Sequence, residues 1–149
     1  MAKKKVSKSL LKDLFKIDFH KFLLKDMLQV IIGASILAVP VGFTEETWRL
    51  GSTLPTINIM GFLLLSIFFI STFTFYHYFR HNTTLTNHHW KEFWKRVLST
   101  YVLSFFVVTA LLILIDKAPW LTEPLVAFNR TIIVTFPSSM SAAVADTLK

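Results

Sequence analysis

From Met27 to Thr44 the chain carries no charged side chain, and the run then stops at two adjacent carboxylates, Glu45 and Glu46, followed by Trp48 and Arg49. Wound as an α-helix, a segment of this length matches the hydrocarbon thickness of a bilayer, and acidic and aromatic residues at its end mark emergence at the headgroups. A water-soluble fold would interrupt such a run with polar residues at helical or strand period.

The remaining sequence repeats the pattern. Of 149 residues 53% are hydrophobic and 15 are Phe, gathered in long blocks, which places the chain among integral membrane proteins. The first span covers about residues 27–44. A second, about 54–76, follows Gly51-Ser52-Thr53-Leu54-Pro55, where proline in the first helical turn is tolerated. A third runs over about 97–115 and is closed by Asp116-Lys117-Ala118-Pro119-Trp120. The fourth, about 124–144, is the least apolar and carries Asn129, Arg130, Pro137, Ser138, Ser139 and Ser141. The absence of cysteine excludes a disulfide framework, a thiol nucleophile and thiolate metal ligands.

Residues 1–26 hold eight lysines against Asp13, Asp18 and Asp26. Lys8, Lys12 and Lys16 recur every fourth residue, and Leu11, Leu14, Phe15, Phe19 and Phe22 fall on the other side of the same helix. Such a basic amphipathic segment suits the surface of an anionic leaflet, so anionic lipid is the expected partner of these lysines and nucleic acid is not. The basic region is too long for the start of a signal peptide and no small-x-small cleavage site follows, so the first span is expected to be retained.

Charge sets the expected orientation. The segment before the first span and the stretch His77 to Arg96, with Arg80, Lys91, Lys95 and Arg96 against Glu92, are both positive. The turns Thr44–Thr53 and Asp116–Pro124 are both slightly negative. By the positive-inside rule the fold is an all-α, polytopic membrane protein with four transmembrane helices and both termini cytoplasmic in the cell (inner) membrane. Two regions follow, a basic cytoplasmic segment over 1–26 and a transmembrane domain over 27–148.

The pattern Gly33-Ala34-Ser35, Pro40, Phe43-Thr44-Glu45-Glu46-Thr47-Trp48 and Gly51, with Pro137-Ser138-Ser139 and the small residues up to Leu148, resembles an uncharacterised family of integral membrane proteins of archaea and bacteria, known as a domain of unknown function. The resemblance implies a small prokaryotic polytopic membrane protein and brings no activity with it.

Four groups of residues are able to carry chemistry. Glu45 or Glu46, on a helix whose Ser35 and Gly42 belong to a small-residue face, would form an acidic ring if the first helix lined the axis of a homo-oligomer, as in cation channels. The layout is similar to that of Orai-type calcium channels, in arrangement only. The plain alternative is that both are solvated turn residues pairing with Arg49. Arg130, with Asn129 beside it, is a costly charge within a span, and Glu45, Glu46, Asp116 and Glu123 are its expected partners. It serves either as a structural salt bridge or as a counter-charge for an anion. Pro137 with Ser138 and Ser139 reads as a packing surface or hinge, its hydroxyls able to satisfy carbonyls that proline leaves open. His77, His81, His88 and His89 are potential zinc or iron ligands or, without a metal, interfacial histidines.

The leading expectation is a homo-oligomeric cation channel or channel-like permease that passes inorganic cations. A non-transporting membrane subunit or assembly factor is the alternative, and a metal-dependent membrane enzyme the third. No enzymatic activity and no cofactor is expected.

Overall fold

A computed structural model describes residues 24–81 and 87–147 of the chain, and every regular element among them is an α-helix. Most of the amphipathic segment expected over 1–26 lies outside the described residues. The helices are α1 (Leu24–Gly42), α2 (Glu45–Thr53), α3 (Thr56–His81), α4 (Asn87–Leu114) and α5 (Pro124–Thr147). Three are long and apolar enough to cross a membrane, over Leu24–Gly42, Thr56–His77 and Phe93–Leu114. The fourth expected span, α5, is not among them on average hydropathy.

Its position in the bundle accounts for this. Helix α5 buries Thr131, Ile132, Ile133, Val134 and Thr135 in succession, then Ser138, Ser139, Ala142, Ala143 and Asp146. A helix covered over most of its surface, with Leu125, Phe128 and Val144 its exposed large apolar side chains, has little need of an apolar surface elsewhere, because there its neighbours and not lipid form its surroundings. Those neighbours carry the exposed bulk: Ile32, Ile36 and Val39 on α1, Leu64 and Phe68 on α3, and Leu98, Val102 and Phe106 on α4. So extensive an apolar exterior is foreign to a soluble monomer and proper to a lipid-facing one.

The contacts fix the register along the whole of α5. On α1, Val30 and Ala34 cluster with Ala142, and Ala38 packs with Val134 near the other end, so α1 and α5 run antiparallel. Against α4, Val108 and Leu112 meet Val134 while Arg96 reaches Asp146, again antiparallel. Ile59 of α3 lies with Ile132, and Ile70 with Ala143, so α3 and α5 run parallel. Rings of Phe62 and Phe69 close on Phe136 with centroids 5.8 and 6.1 Å apart. At the Arg96 end, Phe75, Trp90 and Trp94 stand edge-on to Phe93, a cluster of the aromatic residues that favour a membrane interface.

The small residues make the close approach possible. A Cβ on Gly33 would sit 2.9 Å from the Ala142 Cα and 3.0 Å from the Ser141 carbonyl oxygen. The run of small residues at the end of α5 is thus a helix-packing surface, as its composition suggests.

The end of the first span differs from the expected one. Glu45 and Glu46 do not close the first span: α1 ends at Gly42, Thr44 takes an extended conformation (φ −84°, ψ 132°), and the two acids open a separate nine-residue helix, α2. Their charge favours that place, since a helix N-terminus carries unpaired N–H groups and partial positive charge. Helix α4 ends as expected beside Asp116, which is left-handed at φ 56°. The Lys117 amide donates to the Leu112 carbonyl at 2.9 Å and the Asp116 amide to that of Ile113 at 3.0 Å, the paired bonds of a Schellman stop.

Gly33→Val forces α1 away from α5 and is expected to lower the thermal midpoint of the protein in detergent micelles by several degrees. Gly61→Ala is the control: a Cβ there meets nothing within 4 Å, so the midpoint is expected to hold or to rise, alanine being better in a helix by about 1 kcal/mol.

Candidate functional site

Two polar groupings lie at opposite ends of α5. At the α2 end, Arg130 is half-buried and its guanidinium works as a fork. Nε donates to the Trp48 carbonyl at 3.0 Å and Nη1 to the Lys117 carbonyl at 2.8 Å. Asn129 Nδ2 donates to the Gly51 carbonyl at 3.3 Å, one of the oxygens left open in the last turn of α2. Gly51 lies flat on Arg130, where a Cβ would come within 3.1 Å of the Arg130 Cα and amide nitrogen and closer still to its Cγ. Trp48 completes the arrangement. Its indole donates to the Gly42 carbonyl at the end of α1, at 2.7 Å, and the Lys117 ammonium stands 4.3 Å over its ring. One cation and one indole therefore fasten α1, α2, the α4–α5 connection and α5 together.

The hydrogen-bond partners of Arg130 are main-chain oxygens and not the expected carboxylates of Glu45, Glu46, Asp116 and Glu123. Those four acids are exposed, and Glu46 makes a surface ion pair with Arg49 at 3.8 Å, its side chain 83% accessible. A carbonyl pair suits guanidinium as well as a carboxylate would. It needs no second charge to be taken out of water.

The residues proposed from sequence to line an ion path are not brought onto one open face within the chain. Ser35 donates to the Ile31 carbonyl of its own helix at 2.8 Å. Gly42 is buried, with Leu111 packed where its side chain would be. On α5, hydroxyls turn inward on their own backbone: Thr131 to Ala127, Thr135 to Thr131, Ser138 to Val134 and Ser139 to Phe136, at 2.6 to 3.0 Å. Pro137 lacks the amide that would bond Ile133, and neither serine reaches that carbonyl, so they do not repair the proline as expected. Helix α5 nonetheless continues through Pro137.

His77 is exposed on α3, while the side chains of His81, His88 and His89 lie outside the described residues. Among the described residues no group of three His, Cys, Asp or Glu is placed to hold a metal ion.

The opposite end of α5 holds a grouping that the sequence reading missed. Asp146, only 5% exposed, accepts a hydrogen bond and ion pair from Arg96 Nε at 2.6 Å on its Oδ2. Its Oδ1 is buried without a hydrogen-bond partner among the described residues. The pair borders a cavity of about 390 Å³ between α1, α4 and α5, lined also by Asp26, Lys95, Ser99 and Thr100 and, deeper, by apolar side chains such as Val30 and Leu103. Fifty residues separate Arg96 from Asp146. The one signal in the sequence is a lone acid in the otherwise small-residue end of the last helix.

Arg130→Lys keeps the charge but replaces a planar fork by a single ammonium that cannot serve both carbonyls in one geometry. Loss of one charge-assisted bond is expected to cost about 1.5–3 kcal/mol, read as a lower thermal midpoint. Glu45→Gln, which breaks no bond of this cluster and removes only an exposed charge at the start of α2, is expected to cost less, about 0.3–1 kcal/mol, and to lower the midpoint by less.

Comparison with known sequences agrees with the helical membrane architecture. The model of a family described as "Putative integral membrane protein (DUF2391)", one of unknown function, matches residues 2–148, so the match takes in the basic N-terminal segment as well as the helices. No curated protein and no solved structure shows significant similarity to the chain. The cluster of Trp48, Gly51 and Arg130 and the apolar sheath around α5 are thus features of a chain that belongs to the DUF2391 family of integral membrane proteins.

Proposed function

We propose that the chain crosses the cell membrane four times, with both termini cytoplasmic, and acts as a non-transporting membrane subunit or assembly element. The observation that carries this is the filled axis of the bundle. Thr131, Ile132, Val134, Thr135, Ser138 and Ser139 of α5 are each fully buried, and the hydroxyls among them are spent on helix carbonyls. An ion path needs polar groups that face water, and these face protein.

The four-pass layout draws on the register. Helix α5 has 24 residues, about 36 Å of helix, and between Ile132 and Asp146 it lies against α1, α3 and α4. A helix in contact with three spans over that length shares their depth in the bilayer. The Arg96 end then lies with the basic segments at the cytoplasmic face, and α2 lies at the outer interface. The protein is not an enzyme in this reading.

A cation channel between chains is the second reading. It is favoured by the exposure of Glu45 and Glu46 at the α2 end and by an apolar stripe of Ile32, Ile36 and Val39 open on α1 and continued by Phe43 just beyond it. A homo-oligomer packed along that stripe would bring several acidic pairs together.

The absence of cysteine makes topology directly testable. Glu46→Cys is expected to react with a membrane-impermeant maleimide on intact spheroplasts, and Thr147→Cys only after permeabilisation. Labelling of both from outside would show that α5 does not cross. For function, proteoliposomes are expected to show no potassium, sodium or calcium flux above protein-free vesicles. Flux that falls with Glu45→Gln or Glu46→Gln would replace the subunit reading by the channel.

A further inference from the structure

We propose that the cavity between α1, α4 and α5 binds the headgroup of a zwitterionic phospholipid with a primary ammonium, that is, a phosphatidylethanolamine. The inference goes beyond the role proposed above. It rests only on α1 and α4 crossing the bilayer with their Arg96 ends at a lipid–water boundary.

The charges of the site select this class. Four ionisable side chains line the cavity, two acids (Asp26 and Asp146) and two bases (Lys95 and Arg96). An anionic headgroup alone would be set against two carboxylates, and a free cation against two basic groups. A zwitterion presents a phosphate to Lys95 and Arg96 and an ammonium to the acids, so both signs are matched.

Hydrogen bonding narrows the choice. Asp146 is held by Arg96 through Oδ2, and its buried Oδ1 has no partner among the described residues. A buried carboxylate oxygen is stabilised by an N–H donor and is costly without one. A primary ammonium brings three such donors, whereas the quaternary ammonium of phosphatidylcholine brings none.

The shape agrees with an amphiphile. Arg96 and Asp146 mark the polar level of the cavity, and Leu103 lies seven residues along α4, about 10 Å deeper. A volume of about 390 Å³ is in the range of small-molecule sites and suits a headgroup with its glycerol, not two full acyl chains. From its rim the exposed side chains of Leu98, Val102 and Phe106 continue as a stripe along α4, a surface on which acyl chains lie.

Native mass spectrometry of the purified, delipidated full-length protein tests this with phosphatidylethanolamine, phosphatidylcholine and phosphatidylglycerol of identical acyl chains. Retention of the ethanolamine lipid is expected to exceed that of the choline lipid about tenfold, the worth of one charge-assisted hydrogen bond. Asp146→Asn is expected to bring the two to parity. Because that variant also removes the Arg96–Asp146 ion pair, Ser99→Phe serves as the second: it leaves the ion pair intact, fills the cavity, and is expected to abolish the tenfold preference with helix content by circular dichroism unchanged. Equal retention of ethanolamine and choline lipids by the parent chain, or stronger retention of the glycerol lipid, would overturn the proposal. So would an ethanolamine preference that survives both variants.

Discussion

The enclosure of a polar helix by three apolar ones is the constraint on which the rest of this molecule depends. Helix α5 carries Asn129, Arg130, Thr131, Thr135, Ser138, Ser139 and Asp146, a set that a lipid-exposed helix does not tolerate. Shielding makes it tolerable. Polar side chains bond to the helix backbone, to main-chain oxygens of neighbouring elements or to Arg96, and most of the exposed apolar side chains belong to α1, α3 and α4. Enclosure in turn demands close helix approach, since association in lipid draws on packing and not on expulsion of water. Gly33 beneath Ala142 and Gly51 beneath Arg130 supply that approach at two depths.

The two ends of α5 are closed by different means. At the α2 end the fastening is made of backbone: carbonyls of Gly42, Trp48, Gly51 and Lys117 receive an indole, a guanidinium and an amide. Those of Gly42, Gly51 and Lys117 lie at helix ends or in a connection, where regular hydrogen bonding leaves acceptors open, and that of Trp48 lies within α2. Arg130 thus satisfies groups that would otherwise face a poorly hydrated interface, and its own charge is met by dipoles, including the C-terminal end of α2. At the other end the closure is a side-chain ion pair between Arg96 and Asp146, with an adjoining cavity.

The sequence made three of the spans legible because lipid-facing residues must be apolar wherever they sit, and a block of apolar residues needs no knowledge of neighbours. It also pointed to the packing role of the small residues before Leu148 and to the need of Arg130 for partners. What it hid has a common cause. Main-chain acceptors carry no residue-type signature, so carboxylates stood in for the carbonyls of Trp48 and Lys117. Helix α2 was hidden because Glu45 and Glu46 are equally at home ending a span and starting a surface helix, and only the extended backbone of Thr44 separates the two. The Arg96–Asp146 pair was hidden by distance along the chain, each residue being unremarkable beside its sequence neighbours.

This contrast bears on where chemistry is to be sought. The acids that dominate the sequence are solvated, and in one chain they do no more than start a short helix and pair with Arg49. Arg130, the most conspicuous charge in the last helix, has its forked donors committed to connecting segments, and an occupied cation has little left to offer a solute. Asp146 is different in kind. It is nearly as buried as the apolar core, yet one of its oxygens has no partner among the described residues and it borders a cavity that also carries charges of both signs. Burying an ionisable group beside empty volume is costly if nothing fills the space, and the cost falls when a complementary group enters. The proposed lipid site therefore belongs to the Arg96 end, and the α2 end holds the bundle in register for it.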